Sequence, residues 1–126
     1  MDFEYVPGFL DFASWLKGQH VATALVTSSN HKKMENVYRC HPGFQDMFEE
    51  ILTAEDFAAS KPSPDCYLKA AKRFGLSPDD CVGFEDSFNG LKSLKAAHMK
   101  VVGLATTNSP ESISALADFI IKDYTN

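Results

Sequence analysis

The apolar positions of this chain change their spacing repeatedly along its length, and a turn signal accompanies each change. From Gly8 to Gln19, Phe9, Phe12, Ala13 and Leu16 recur three and four residues apart, which predicts a helix with one apolar face and puts Trp15 beside that face, in the core. "VATALVT", Val21 to Thr27, is apolar almost throughout and rich in β-branched residues, the pattern of a parallel strand covered on both faces. Asn30 opens a second helical pattern carrying Met34, Val37 and Tyr38, closed by Pro42 and Gly43. "EEILTAE" is a weaker strand. Ser63 and Pro64 then offer an N-cap and a first-turn proline, Tyr67, Ala70, Ala71 and Phe74 make a buried stripe, and Gly75 ends the helix. "CVGF" is the next strand, Phe88, Leu91 and Leu94 turn a helix face to the core, and "KVVGLA" returns as a strand. A shorter helix after Ser109-Pro110, through Ile113 and Leu116, leads to a last strand, "DFII".

Strands alternating with helices on short connections predict an α/β fold: a Rossmann-like open parallel sheet with helices on both faces. At 126 residues the prior is a single domain, 1–126, with a real core. In such sheets ligands gather outside the carboxyl ends of the strands. The polar residues collect there: Thr27, Ser28, Ser29 and Asn30 after one strand, Glu85 and Asp86 after another, with Lys61 in a loop on the same expected rim.

Charge and cysteine usage narrow the function. A formal charge of −5, with basic residues scattered among acids, leaves no basic stripe for nucleic acid. Cys40, Cys66 and Cys81 are odd in number and lack Cys-x-x-Cys spacing, so neither a disulfide framework nor a thiolate zinc site is indicated, in keeping with a reducing cytoplasm. "MDFEYVPGFLDF" carries acids where a signal peptide needs positive charge, and no apolar run approaches a membrane span. The expectation is a soluble, cytoplasmic protein with no membrane and no nucleic-acid partner. His20, His31, His41 and His98 form no His-x-x-x-His pair, which favours surface or packing roles over metal ligation.

Two carboxylates at a strand end, a lysine on another loop and hydroxyls before a helix suit phosphate and a hard cation. Magnesium takes oxygen ligands and keeps several waters, so one or two carboxylates suffice from the protein. Thr27 and Ser28 can donate hydrogen bonds, and the free N–H groups of the helix that follows favour an anion. Lys61 adds a compact positive charge beside them. Each feature has a plainer reading on its own: Thr-Ser-Ser-Asn as an N-cap, Glu85-Asp86 as acids at a solvated helix start, Lys61 as a surface lysine.

Their order adds weight. "ALVTSSN", "SKPSPDCYLKAAKRFG" and "DDCVGFEDSFNGLKSLKAAHMKVVGL" resemble, in that order, motifs II, III and IV of the haloacid dehalogenase-like phosphatase superfamily, most closely its β-phosphoglucomutase-like subfamily. The resemblance covers nearly the whole chain; Lys-Pro-x-Pro-x-x-Tyr and Glu-Asp-Ser-x-x-Gly are its most specific strings. It implies that Thr27 hydrogen-bonds a transferring phosphoryl group, with Ser28 and Asn30 as neighbours. It implies that Lys61 orients and neutralises that group and the nucleophile. It makes Asp86 a magnesium ligand, with Glu85 as a second ligand or the holder of a metal-bound water. The implied substrate is a small phosphorylated metabolite, such as a sugar phosphate.

The chain departs from the family in lacking the Asp-x-Asp-Gly-Thr string that carries the nucleophile. Its start resembles the segment where family members return from their helical cap, so the chain reads as a C-terminal core portion without first strand or cap, inactive by itself. The family's nucleophile strand lies between the strand ending at Thr27 and the one ending at Glu85. Its absence is expected to split the sheet in two, with the open edges completed by a second copy or by a missing N-terminal segment. A second departure is His98, where the family has glycine at a position that calls for a left-handed backbone. Two other readings stay open: a non-catalytic phosphate- or partner-binding relative, and a receiver-type signalling domain. The latter presents its acids first, then its hydroxyl residue and its lysine, whereas here the hydroxyl residue comes first and the acids last.

Overall fold

The structure is a computed structural model that describes residues 8–106 and 108–125; the part of the N-terminal reading that falls on residues 1–7 lies outside them. Helix α1 (Phe9–Gly18) leads to β1 (Ala24–Val26), α2 (His31–Cys40) and β2 (Glu50–Leu52). After α3 (Asp65–Phe74) come β3 (Val82–Glu85), α4 (Phe88–Ala96), β4 (Lys100–Leu104), α5 (Pro110–Ile113) and β5 (Phe119–Ile121). Every strand pairing is parallel.

The strands form two sheets, β1-β2 and β3-β4-β5, and β1 and β3 are not paired to each other. The sheet is divided where the sequence predicts the division. Neighbouring residues of β3 point to opposite faces, and this puts helices on both sides of it. A Cβ on Gly83 would meet Leu94 of α4 at 2.0 Å, whereas the ring of Phe84 packs edge-on to Phe12 of α1, 5.5 Å between centroids. On the α1 face, Phe12 also stacks on Tyr124, and Phe9 reaches across to Phe48, just before β2. On the other face α3 packs on both β1 and β2 and also against α4. The two sheets are thus held together by helices rather than by a shared ladder.

The predicted elements exist, with four corrections. "VATALVT" forms a strand only over Ala24–Val26, all three half-buried, with Val21 and Ala22 exposed; β1 pairs with β2 alone, and an edge is not covered as a central strand is. Trp15 is 59% exposed, because α1 turns Ala13, Phe12 and Leu16 inward and leaves Trp15 on its outer side, stacked on Phe12. Phe88 is 41% exposed at the first position of α4, one turn ahead of the buried Gly90 and Leu91. Helix α3 begins at Asp65 after an uncapped Pro64; Ser63 accepts the Asp65 N–H through Oγ while its carbonyl accepts the Ser93 hydroxyl at 2.6 Å. His98 does take the left-handed backbone, at φ 64.

Candidate active site

The carboxyl ends of β1 and β3 face one lysine. Lys61 Nζ donates to the Val26 carbonyl at 3.3 Å and to Glu85 Oε2 at 3.0 Å, so one ammonium spans the gap between the two sheets. Both charged side chains are only 13% exposed. Lys61 lies in the loop before α3 and is followed by a cis peptide to Pro62. Its ammonium also sits 5.2 Å from the centre of the Tyr67 ring.

Glu85 is saturated with donors. Oε2 accepts from Lys61 and from the Tyr67 hydroxyl at 2.8 Å, and Oε1 accepts from the Asp86 N–H, the Ser87 N–H and the Ser87 hydroxyl. Burial works against its charge, but Lys61 and these hydrogen bonds outweigh it and hold the carboxyl below its ordinary range. Burial, with the Glu85 charge beside it, raises the Tyr67 hydroxyl far above its usual value, so it stays a donor. The last letter of Glu-Asp-Ser-x-x-Gly follows from packing: a Cβ on Gly90 would stand 2.0 Å from the Glu85 carboxyl carbon. Only glycine lets this carboxylate lie on the first turn of α4.

Asp86 is the acid left uncompensated. Burial first, then the Glu85 charge, raises its pKa. Thr106 donates to its Oδ2 at 3.4 Å and Asn108 Nδ2 to its backbone carbonyl at 3.1 Å. Tyr124 is pushed up to about 12 by burial and then by Asp86 and Glu85, a sign of how negative this end of the sheet is.

Thr27 accepts the Ser29 N–H at 3.1 Å and keeps its own hydroxyl proton to donate. Asn30 caps α2 by accepting the Lys33 N–H at 2.9 Å. A cavity of about 510 Å³ opens beside Lys61, lined by Ser28, Lys61, Ser87, Phe88 and Asn89. Of the residues the sequence offers for phosphate, Ser28 and Lys61 line it, whereas Thr27 and Asn30 do not. Tyr67, read from the sequence only as part of a buried stripe, is drawn into the site by its hydroxyl; its place in the Lys-Pro-x-Pro-x-x-Tyr string was the available signal. Thr106 and Asn108 carried no signal, since only folding brings the end of β4 beside Asp86.

Among the described residues no group of three or more His, Cys, Asp or Glu is placed to hold a metal. The residues nevertheless fit one that keeps most of its waters. Asp86 is a half-buried carboxylate in an excess of negative charge, the situation a divalent cation relieves, and magnesium needs only one or two such ligands.

The fold brings a lysine, hydroxyls and an acidic pair to one rim of a parallel α/β sheet. Residues 4–98 match the family model for haloacid dehalogenase-like hydrolases, and the chain belongs to that family. It is 33% identical over 116 residues to the bifunctional riboflavin kinase/FMN phosphatase of Arabidopsis thaliana, covering 92% of this chain and 31% of that protein. It is 33% identical to hexitol phosphatase B of Escherichia coli K12, covering 77% of this chain and 43% of the relative. Among solved structures, a family IA, variant 3 HAD hydrolase from Entamoeba histolytica superposes with a TM-score of 0.90 at 23% identity, over 99% of this chain and 57% of the other. The chain spans from 11% to 55% of the length of the curated relatives it matches. No helix among the described residues is long and apolar enough to cross a membrane.

Proposed function

We propose that this chain is the C-terminal core portion of a phosphatase or phosphomutase acting on a small phosphorylated metabolite, and that residues 1–126 carry every motif of the site except the nucleophile. The observation that carries the proposal is Lys61, pinned between the Val26 carbonyl and Glu85 at the carboxyl ends of both sheets. A buried ammonium there can balance a phosphoryl group and hold it in line for attack, the two effects on which phosphoryl transfer chiefly depends.

In this reading Thr27 and Ser28 donate to the phosphoryl oxygens, with Asn30 setting the start of α2 behind them. Glu85 and Tyr67 fix the Lys61 ammonium. Asp86 would hold magnesium, with Glu85 beside it, its Oε1 already engaged by the Asp86 and Ser87 N–H groups. The metal supplies neutralisation of charge developing on the phosphoryl oxygens. The attacking carboxylate comes from a strand outside this chain that pairs with the free edges of β1 and β3. An unpaired donor or acceptor left buried at such an edge costs about 1–3 kcal/mol.

Two experiments test this. The coding sequence upstream of Met1 should hold an in-frame Asp-x-Asp-Gly-Thr string; its absence favours the non-catalytic, phosphate-binding reading. The 126-residue chain by itself should show no turnover of a generic phosphate ester. Robust hydrolysis that disappears on Asp86→Asn would overturn the claim that the nucleophile lies elsewhere.

A further inference from the structure

Phe88 is one of several large apolar residues that the fold leaves exposed, and it lies beside Lys61. The five aromatic residues Phe9, Phe12, Phe44, Phe48 and Phe84 each pack against another ring, but among the described residues Phe88 makes no ring pair and stands 41% exposed. Leaving a large apolar side chain in water forgoes burial energy that the core-facing positions of the same helix recover. Its location is also specific. Phe88 lines the 510 Å³ cavity that holds Lys61, Ser28, Ser87 and Asn89.

The ring is presented from a fixed base. Ser87 caps α4 by accepting the Gly90 N–H at 3.0 Å, and Gly90, Leu91 and Leu94 anchor the helix in the core. A phosphomonoester whose phosphate meets Lys61 and Ser28 can lay its organic part against Phe88 and Asn89, which line the same open cavity. Polyol hydroxyls would lose water against that ring and gain little. A flat, part-apolar group would stack on it, and Asn89 could hydrogen-bond its edge.

We propose that Phe88 determines specificity at this site, favouring phosphomonoesters whose organic group presents a planar ring over those of a polyol. The inference rests on the phosphate reading above and adds the class of leaving group. It assigns to the core a selectivity contact that the sequence had consigned to packing.

The test is to titrate the 126-residue chain with inorganic phosphate, phenyl phosphate and glycerol 1-phosphate, following chemical shifts or heat. The expected preference for phenyl phosphate over glycerol 1-phosphate is about fivefold, the scale of one aromatic stacking contact. Phe88→Ala, at an exposed helix start, should abolish that preference and leave inorganic phosphate affinity unchanged, while Phe88→Tyr should preserve it. Lys61→Met should weaken all three ligands. A preference that survives Phe88→Ala, with phosphate still bound, overturns this inference alone. Failure of inorganic phosphate to bind overturns the phosphate reading and this inference with it.

Discussion

The three-stranded half of the molecule and the two-stranded half share parallel pairing and helical cover, yet they are buried to different depths. Around β3-β4-β5, Leu91, Leu94 and Ile113 are completely buried and Val101 nearly so, in one cluster that also takes in Cys66 and Ala71 from α3. Around β1-β2 the separate cluster has Met34, Val37 and Phe44 as its buried residues, and every residue of β1 is half-exposed, although Leu52 at the end of β2 is completely buried. A strand with neighbours on both sides, such as β4, is covered by helices across its whole width. β1, with one neighbour, is not. The site is built across this unequal junction, with Lys61 joining the weaker half to the stronger.

The comparison predicts unequal costs for deleting core atoms. Leu94→Ala, in the deep cluster, should cost about 3–5 kcal/mol in urea unfolding, and Val37→Ala in the shallow one roughly half that. Equal costs would show that the two-stranded half is as well packed as the other.

The next largest effect concerns the link between the halves. Glu85→Gln leaves Lys61 buried without its counter-charge and should cost about 3 kcal/mol. The double variant Glu85→Gln/Lys61→Met should recover much of that loss, since it removes both charges. It should also leave the β1 amides exchanging faster with solvent, because the bond to the Val26 carbonyl is gone. A double variant no better than the single one would mean that the pair is not the joint between the sheets.

The pH dependence follows from the same pair. The Glu85 carboxyl is lowered from 4.5 in the fold, so its contribution is fully present above that ordinary value and is lost as pH falls through the lower folded one. Acid should therefore open the junction early. Exchange protection in β1 should fall in that window before protection in β4 does, and simultaneous loss would argue for one cooperative unit.

The smallest effect is at Asp86, whose pKa is raised in the fold. Between 3.8 and that higher value the native state holds more protons than the unfolded chain, so rising pH costs stability there. Asp86→Asn should thus raise the melting temperature slightly in metal-free buffer. Magnesium should bind the parent chain weakly and the variant more weakly still. Tight binding in either, by calorimetry, would mean that ligands beyond Asp86 and Glu85 are in place.

Much of this was legible in the sequence, for local reasons. Alternating periods gave the element order, Asn30 marked the start of α2, and Gly75 marked the end of α3, because caps and turns act over a few residues. The strings around Lys61 and Glu85-Asp86 pointed to the rim where the Lys61 ammonium meets Glu85. Their contacts were not legible. Glu85 is consumed by Lys61, Tyr67 and Ser87, and Asp86 is left with the excess charge, only because α3 packs against β1, β2 and α4 and Gly90 admits the carboxylate. Periodicity assigned Phe88 and Trp15 to the core, since a helix repeat shows which residues share a face but not where that face ends. The sequence by itself determined the kinds of element, their order and the candidate residues Lys61, Glu85 and Asp86 that meet at one rim. Tertiary structure alone decided which strand is an edge, which acid is neutralised and which ring faces solvent, because these depend on neighbours distant in the chain.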